Sequence, residues 1–128
     1  MFGKLRPYLV KVIICPFDGF STGEFMQLAN YDGDMRFLRY AMLEDSFIEL
    51  VNMSTYGAKM PRANSEFILN LKICVPQRDE QKVIADYLDS KCNEIDKSIE
   101  TKNQQLTKLA EYKKSIIYEY VTGKKRVA

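Results

Sequence analysis

The stretch that decides the fold reads VPQRDEQKVIADYLD and covers Val75–Asp89. Just before it, the apolar run 71–75 ends at Pro76, and a proline keeps the preceding residue in the extended region of backbone conformation. Three residues later come Asp79 and Glu80, whose negative charge suits the positive end of a helix dipole. The sequence therefore predicts a strand over 71–75 and a long helix that begins near Asp79.

Downstream of this start, apolar residues recur with alternating steps of four and three residues, which is the spacing of a coiled-coil seam. Eight of the ten core positions between 88 and 120 are apolar, namely Leu88, Cys92, Ile95, Ile99, Leu106, Leu109, Ile116 and Tyr120. The other two are Lys102 and Lys113. We interpret both lysines as laying their methylene groups along the seam with the amines in water, although a polar core residue can also set the register against a partner.

The length of this helix decides what it can pack against. Gly123 favours the left-handed conformation that ends a helix, so the helix is expected to span Asp79 to Val121, on the order of 60 Å. A small domain cannot cover an apolar stripe of that length, which therefore predicts pairing with another long helix. We expect an antiparallel homodimer whose interface holds Leu88, Ile95, Ile99, Leu106, Leu109, Ile116 and Tyr120.

Upstream of residue 71 the sequence patterns are shorter and of both kinds. The β-branched run Leu9–Cys15 predicts a largely buried strand, and the alternation in Phe25–Tyr31 predicts a second one. Helical spacing predicts three short helices, Met35–Leu43, Phe47–Met53 and Ser65–Asn70. The expected caps of these helices are Asp32 or Asp34, Asp45 with Ser46, and Asn64, and the expected inward side chains of the second helix are Phe47, Ile48, Leu50 and Val51.

These elements together indicate an α+β fold in which a small domain of mixed strands and helices precedes one long coiled-coil helix. We expect three segments: the domain over residues 1–76, the helix over 77–123 and a basic tail over 124–128. The tail holds the excess of positive charge, because residues 1–75 contain eight lysines and arginines against eight acidic residues. Composition alone therefore does not select a nucleic-acid-binding protein.

The residue types argue against several kinds of chemistry. Histidine, the commonest general base, is absent, and no glycine-rich phosphate loop or catalytic serine motif occurs. Cys15, Cys74 and Cys92 are unclustered and set among apolar residues, so they are expected to be reduced and buried rather than metal ligands. We therefore predict a protein that is not an enzyme and needs no cofactor. No long apolar segment and no signal peptide occur, which predicts a cytoplasmic protein with no membrane partner.

Five short segments carry a resemblance to a known family. They read KLRPYL at 4–9, FSTGEF at 20–25, YGAKMPRAN at 56–64, VPQRDEQ at 75–81 and VTGK at 121–124. In this order they resemble motifs of the specificity subunits of type I restriction-modification enzymes, with the first three in a target recognition domain and the last two in a spacer helix. Gly23 departs from the family's usual pattern. A larger departure is length, because family members carry two recognition domains and two spacer helices.

The resemblance implies that residues 1–76 are the C-terminal part of a target recognition domain and that 77–123 are a spacer helix. In the family, two such helices pair antiparallel and hold two recognition domains apart, and each domain reads one half of a bipartite DNA site. The implied function is a non-catalytic specificity component that positions methyltransferase and restriction subunits on double-stranded DNA. The alternative is a truncated remnant that acts only as a coiled-coil protein-interaction module.

Two groups of residues are candidates for contacting DNA. The region around the first predicted strand and the loop before the third short helix contribute Lys4, Arg6, Tyr8, Lys11, Tyr56, Lys59 and Arg62. Arginine suits bidentate contact with guanine or phosphate, and lysine suits phosphate. A different interpretation stays open here, in which Arg6 and Arg62 bond loop carbonyls and fix the fold.

Overall fold

The computed structural model describes residues 1–127, so residue 128 of the expected basic tail lies outside the described residues. The chain divides into two units, one over Met1–Tyr87 and the other from Leu88 onward. The first unit holds the antiparallel strands β1 (Phe2–Gly3) and β2 (Phe25–Met26), a 3-10 turn over Pro7–Leu9, and the helices α1 (Met35–Leu43), α2 (Asp45–Met53) and α3 (Ser65–Asn70). Helix α4 (Arg78–Val121) begins in the first unit and is the main element of the second. The predicted α+β class is confirmed.

The core of the first unit is formed by the apolar faces of the strands and the three short helices. Its buried cluster consists of Phe2, Met26, Met42, Phe47, Ile48, Val51, Ala63 and Ile68. The rings of Phe2 and Phe47 meet edge to face with centroids 6.1 Å apart, which ties β1 to α2. Leu50 was expected to face inward but is 42% exposed. With about 3.6 residues per turn, position 50 falls outside the arc that holds the buried positions of α2.

The first turns of the short helices are capped by side chains that accept hydrogen bonds from free backbone N–H groups. The Asp34 carboxylate accepts from the N–H groups of Arg36 and Phe37, and the Asn64 side chain accepts from those of Glu66 and Phe67, so both predicted caps are confirmed. For α2 the prediction was wrong by one residue. Glu44 has an extended backbone that ends α1, and its side chain then caps α2 by accepting the N–H of Phe47 at 3.1 Å.

The predicted strands are the main errors of the sequence interpretation. Within Leu9–Cys15 the first residue ends the 3-10 turn, Val10 is left-handed, and Val12 makes only an isolated bridge with Phe2. The second predicted strand shortens to Phe25–Met26, and 71–75 is irregular. A strand needs a neighbour along its length, and residues 11–13 find one only in the first residues of the chain, through the Gly3 N–H to Lys11 O and Ile13 N–H to Met1 O bonds.

The three cysteines were expected to be buried, and all three are exposed. The exposure of Cys15 and Cys74 follows from the missing strands, because each residue lies in a segment that was predicted to be a strand. Cys92 lies on α4, where no other part of residues 1–127 covers it.

Helix α4 begins at Arg78, one residue before the expected position, and a buried amide fixes its first turn. Gln81 is only 2% exposed. Its Oε1 accepts from the Tyr31 hydroxyl at 3.0 Å and from the Asp34 N–H at 3.1 Å, and its Nε2 donates to Pro76 O at 2.8 Å. A Cβ at Gly33 would lie 2.3 Å from Gln81 Oε1, so a residue without a side chain is required there.

The second unit consists of α4 from Leu88 to its end and the residues that follow. The helix stops at Val121, and Gly123 has a φ of +74°, as predicted for the end of the helix. The Lys125 ammonium lies 2.7 Å from Glu119, and this contact raises the pKa of the lysine. No helix in residues 1–127 combines the length and the apolar character needed to cross a membrane.

Candidate nucleic-acid interface

The loop over 56–62 is closed at its base by two backbone hydrogen bonds. The Tyr56 N–H donates to Arg62 O at 3.1 Å, and the Arg62 N–H donates back to Tyr56 O at 3.0 Å. Gly57 has a φ of +88°, a conformation that residues with a Cβ rarely adopt, and it lets the chain turn directly after Tyr56. Lys59 and Met60 are exposed between these ends. The geometry therefore presents a lysine on a loop whose two ends are fixed.

The N-terminal segment lies against this loop and against a third segment. The Arg6 N–H donates to Pro61 O at 2.7 Å, and the Ala63 N–H donates to Lys4 O at 2.9 Å. On the other side, the Lys4 N–H donates to Glu24 O at 2.8 Å. Three of the segments that carry the resemblance, KLRPYL, FSTGEF and YGAKMPRAN, thus meet in one place although they are far apart in the sequence.

At this meeting point Arg6 and Arg62 lie on segments that are hydrogen-bonded to each other, and the side chain of Arg62 pairs with a carboxylate. The Arg62 guanidinium forms an ion pair through Nη2 with Glu24 Oε1, and both side chains are 38% exposed. Glu24 Oε2 and Arg6 Nε are buried and have no hydrogen-bond partner within residues 1–127. Arg6 itself holds a left-handed backbone with a φ of 51°. Buried polar atoms without partners cost free energy, so their presence here distinguishes the cluster from an ordinary surface ion pair.

The open question about the two arginines receives a mixed answer. Their bonds to loop carbonyls are made by the backbone, from the Arg6 N–H to Pro61 O and from the Arg62 N–H to Tyr56 O. The side chain of Arg62 instead reaches a carboxylate. Both residues therefore help to hold the segments together, and the Arg62 side chain also remains more than one third exposed.

The remaining predicted residues lie around the same segments. Tyr8 is exposed on the 3-10 turn, Tyr56 is exposed at the base of the loop, and the exposed Lys11 packs its backbone against Gly3. Glu24 is the residue that the sequence interpretation missed. The available signal was its place in FSTGEF, a segment singled out by resemblance but not given a role.

The second candidate surface is the seam of α4, which is uncovered in the single chain. Ile95, Ile99, Leu106 and Leu109 are between 52% and 64% exposed, and Tyr120 is 43% exposed. Leu88 and Ile116 are half-buried, while Lys102 and Lys113 are exposed. An apolar stripe this long is typical of a surface that another polypeptide covers.

Metal-binding groups are also absent from the described part of the chain. Residues 1–127 contain no group of three or more His, Cys, Asp or Glu side chains placed to hold a metal ion.

Comparisons with known proteins agree on one family. Residues 13–108 match the family described as type I restriction modification DNA specificity domain. The chain is 33% identical over 94 residues to the specificity subunit of the type I restriction enzyme MjaVIII of Methanocaldococcus jannaschii, which covers 73% of this chain and 21% of that protein. It is 29% identical over 84 residues to the specificity subunit of the Escherichia coli enzyme EcoDI, covering 66% and 19%. The chain thus spans about a fifth of these relatives' length. No solved structure matches it.

Proposed function

Because the chain belongs to the type I restriction modification DNA specificity domain family, we propose that it is a non-catalytic DNA-recognition component of a type I restriction-modification system. In this role it reads one half of a bipartite site on double-stranded DNA and positions methyltransferase and restriction subunits there. The observation that carries the proposal is the meeting of Lys4–Arg6, Glu24 and the 56–62 loop in one basic surface. Below, this set of residues is called the loop cluster.

The loop cluster offers both kinds of contact that sequence-specific binding needs. Lys59, exposed on the loop, supplies a mobile charge for phosphate oxygens. Arg62 presents a planar fork of N–H donors whose geometry matches the O6 and N7 acceptors of guanine. The exposed rings of Tyr8 and Tyr56 add apolar surface that can pack on sugar groups. Lys4 and Lys11 add positive charge beside them.

The test is a titration of the chain with duplex DNA at several salt concentrations. Binding to any duplex should weaken as salt rises, and Lys59→Ala should weaken it equally for all sequences while reducing the salt slope by about one. Lys108→Ala, an exposed lysine of the second unit, is the matched control and should leave the loop cluster's contribution unchanged. A wild-type chain that binds no duplex, alone or with a methyltransferase subunit, would refute the proposal.

We further infer that the α4 seam pairs with a second copy of the chain in antiparallel orientation. With the two-fold axis next to Gln104, every seam position meets a seam position. Leu88 then faces Tyr120 of the partner subunit, Ile99 faces Leu109 of the partner subunit, and Lys102 faces Leu106 of the partner subunit. No other antiparallel register overlaps all ten positions, so this one buries the most apolar surface.

Charge outside the seam favours the same register. Lys91 and Glu119 occupy equivalent flanking positions of their heptads, and in this alignment Lys91 lies beside the partner's Glu119. By symmetry the pair occurs twice. Glu119 already pairs with Lys125 of its own chain and is 29% exposed, so the partner's Lys91 would add a second cation beside a carboxylate that is partly shielded from water.

Self-association is tested by sedimentation at tens of micromolar chain. The wild type is expected to be a dimer, and Ile99→Asp should make it a monomer because the change places a carboxylate in the apolar seam. Asp96→Asn, on the neighbouring turn but outside the seam, is the control and should remain dimeric. If the wild type is a monomer, self-association is refuted, and the apolar stripe is then expected to contact methyltransferase subunits instead.

A further inference from the structure

We propose that Glu24 is a positioning residue for DNA recognition: it orients the Arg62 guanidinium for reading a base and lowers its attraction for phosphate. The inference rests on the proposed function and adds a residue and a role to it.

Both residues of the ion pair lie on backbone that hydrogen bonds hold in place. Glu24 O accepts the Lys4 N–H at 2.8 Å, directly before β2 begins. Arg62 exchanges two backbone hydrogen bonds with Tyr56 and forms a bridge with Leu5. Ordering two long side chains usually cancels most of the gain from a surface ion pair. Here both backbones are anchored, so only the side-chain torsions remain to be ordered, and the pair can hold the guanidinium in one orientation.

The Arg62 guanidinium keeps N–H donors that the ion pair does not use. The ion pair uses Nη2 of Arg62, and a guanidinium carries five N–H donors in a rigid fork. One N–H of Nη2 is therefore still available, and together with the neighbouring donor on Nε or Nη1 it forms a two-donor fork for a ligand. Since the side chain is 38% exposed, a base edge can reach this fork without displacing Glu24.

The ion pair also changes the net charge that Arg62 presents to DNA. Glu24 and Arg62 together are neutral, whereas attraction to the DNA backbone depends on net positive charge. Pairing thus weakens the part of Arg62 binding that is the same for every sequence. It leaves the part that depends on donor geometry, which is what distinguishes guanine from other bases in the major groove. Lys4 and Lys59 supply the sequence-independent attraction instead.

The unpaired atoms of the loop cluster support the same role. Glu24 Oε2 has an unused acceptor and Arg6 Nε an unused donor, both buried. The Arg6 backbone is also left-handed, which disfavours a residue with a Cβ. Unsatisfied groups and backbone strain occur together at binding sites more often than elsewhere. We expect Glu24 Oε2 and Arg6 Nε to gain hydrogen-bond partners when DNA is bound.

The experiment compares two duplexes, one enriched from random DNA by the wild-type chain and one with its sequence scrambled. Glu24→Gln keeps the shape of the side chain and removes the charge. We expect it to bind the scrambled duplex several-fold more tightly, to increase the salt slope by about one, and to reduce the preference for the enriched duplex about tenfold. Glu49→Gln makes the same change in net charge on an exposed turn of α2 and should not reduce the preference.

Two substitutions of Arg62, to Lys and to Ala, test whether Glu24 acts through Arg62. Arg62→Lys keeps the charge but lacks the fork, so it should lose the preference and keep its affinity for the scrambled duplex. In a chain that already carries Arg62→Ala, Glu24→Gln should not change the preference for the enriched duplex any further. Such non-additivity is expected when two residues act as one pair. Independent, additive effects of the two substitutions would refute the positioning role.

A measurement without DNA separates this inference from the proposed function. In the free chain, ¹⁵N relaxation of the Arg62 Nε–H group should show greater motion in Glu24→Gln than in the wild type, at equal thermal stability. If the wild type selects a sequence but Glu24→Gln leaves the preference, the salt slope and the Arg62 motion unchanged, the inference fails and the proposed function stands. If Glu24→Gln only lowers the melting temperature and weakens all binding equally, Glu24 is a structural residue and the inference also fails.

Discussion

At the scale of single residues, Gln81 shows how one buried amide can hold an element in place. Its oxygen accepts hydrogen bonds from the Tyr31 hydroxyl and the Asp34 N–H, and its nitrogen donates one to Pro76 O. Both the oxygen and the nitrogen of this buried amide are therefore hydrogen-bonded. The same oxygen lies 2.3 Å from the position that a Cβ of residue 33 would take, so a side chain there would displace the buried amide.

Gln81→Leu should lower the free energy of unfolding by about 2–3 kcal/mol. Leucine fills the space but leaves the Asp34 N–H and the Tyr31 hydroxyl without their acceptor in a buried place. Urea unfolding followed by circular dichroism measures the change. Gln77→Leu, exposed just before α4, is the control and is expected to stay within about 0.5 kcal/mol of the wild type. Equal losses in the two variants would show that the buried amide has no special role.

Asp34 should make stability depend on acid pH. The Arg36 side chain donates to its carboxylate and lowers the pKa of Asp34 below its ordinary value of 3.8, and the bonds from the Arg36 and Phe37 N–H groups act in the same direction. Because the folded pKa is below the unfolded one, the stabilisation is complete above the unfolded pKa and is lost as pH falls through the folded pKa. Asp34→Asn should be less stable at neutral pH and should lose less stability on acidification. Urea unfolding from neutral to acid pH tests this; identical pH profiles would contradict it.

At the scale of elements, the helices could be predicted from the sequence and the strands could not. The bounds of α1 and α3 and the caps Asp34 and Asn64 follow from spacing and hydrogen bonds within a few residues. The run 9–15 has the composition of a strand, but a strand forms only where another segment pairs with it, and that depends on the whole fold. The site follows the same rule: resemblance located the 56–62 loop, whereas the Glu24 to Arg62 ion pair joins residues 38 apart and has no local signal.

Charge reversal on α4 should reveal the register of the proposed dimer. Lys91→Glu or Glu119→Lys alone should weaken dimerisation severalfold, because each places like charges side by side twice in the dimer. The double variant should recover most of the affinity, since it restores the pair with the charges exchanged. Sedimentation equilibrium measures the dissociation constants of the wild type, the two single variants and the double variant. Lys97→Glu, on the face away from the seam, is the control; a double variant no tighter than the singles would refute this register.

At the scale of the whole molecule, the consequence of self-association is symmetry. A subunit with two different recognition domains reads two different half-sites, and its bipartite target is asymmetric. A homodimer of this chain would carry two copies of the same loop cluster, related by the two-fold axis of the helix pair. Protein two-fold symmetry is mirrored in the DNA half-sites, because each copy meets its half-site in the same way.

In the proposed complex with a methyltransferase subunit, the chain should therefore select an inverted repeat from random duplex DNA. Each half-site is expected to be the sequence that one loop cluster reads, and the gap between half-sites should be constant because helices rather than flexible loops set it. Ile99→Asp provides the internal control: a monomer should still enrich the half-site, but without a second copy at a fixed distance. Enrichment of an asymmetric site would contradict the homodimer while leaving DNA recognition in place. If the wild type enriched no sequence at all, the role of the chain would reduce to the protein-interaction module, and the α4 seam would be its functional surface.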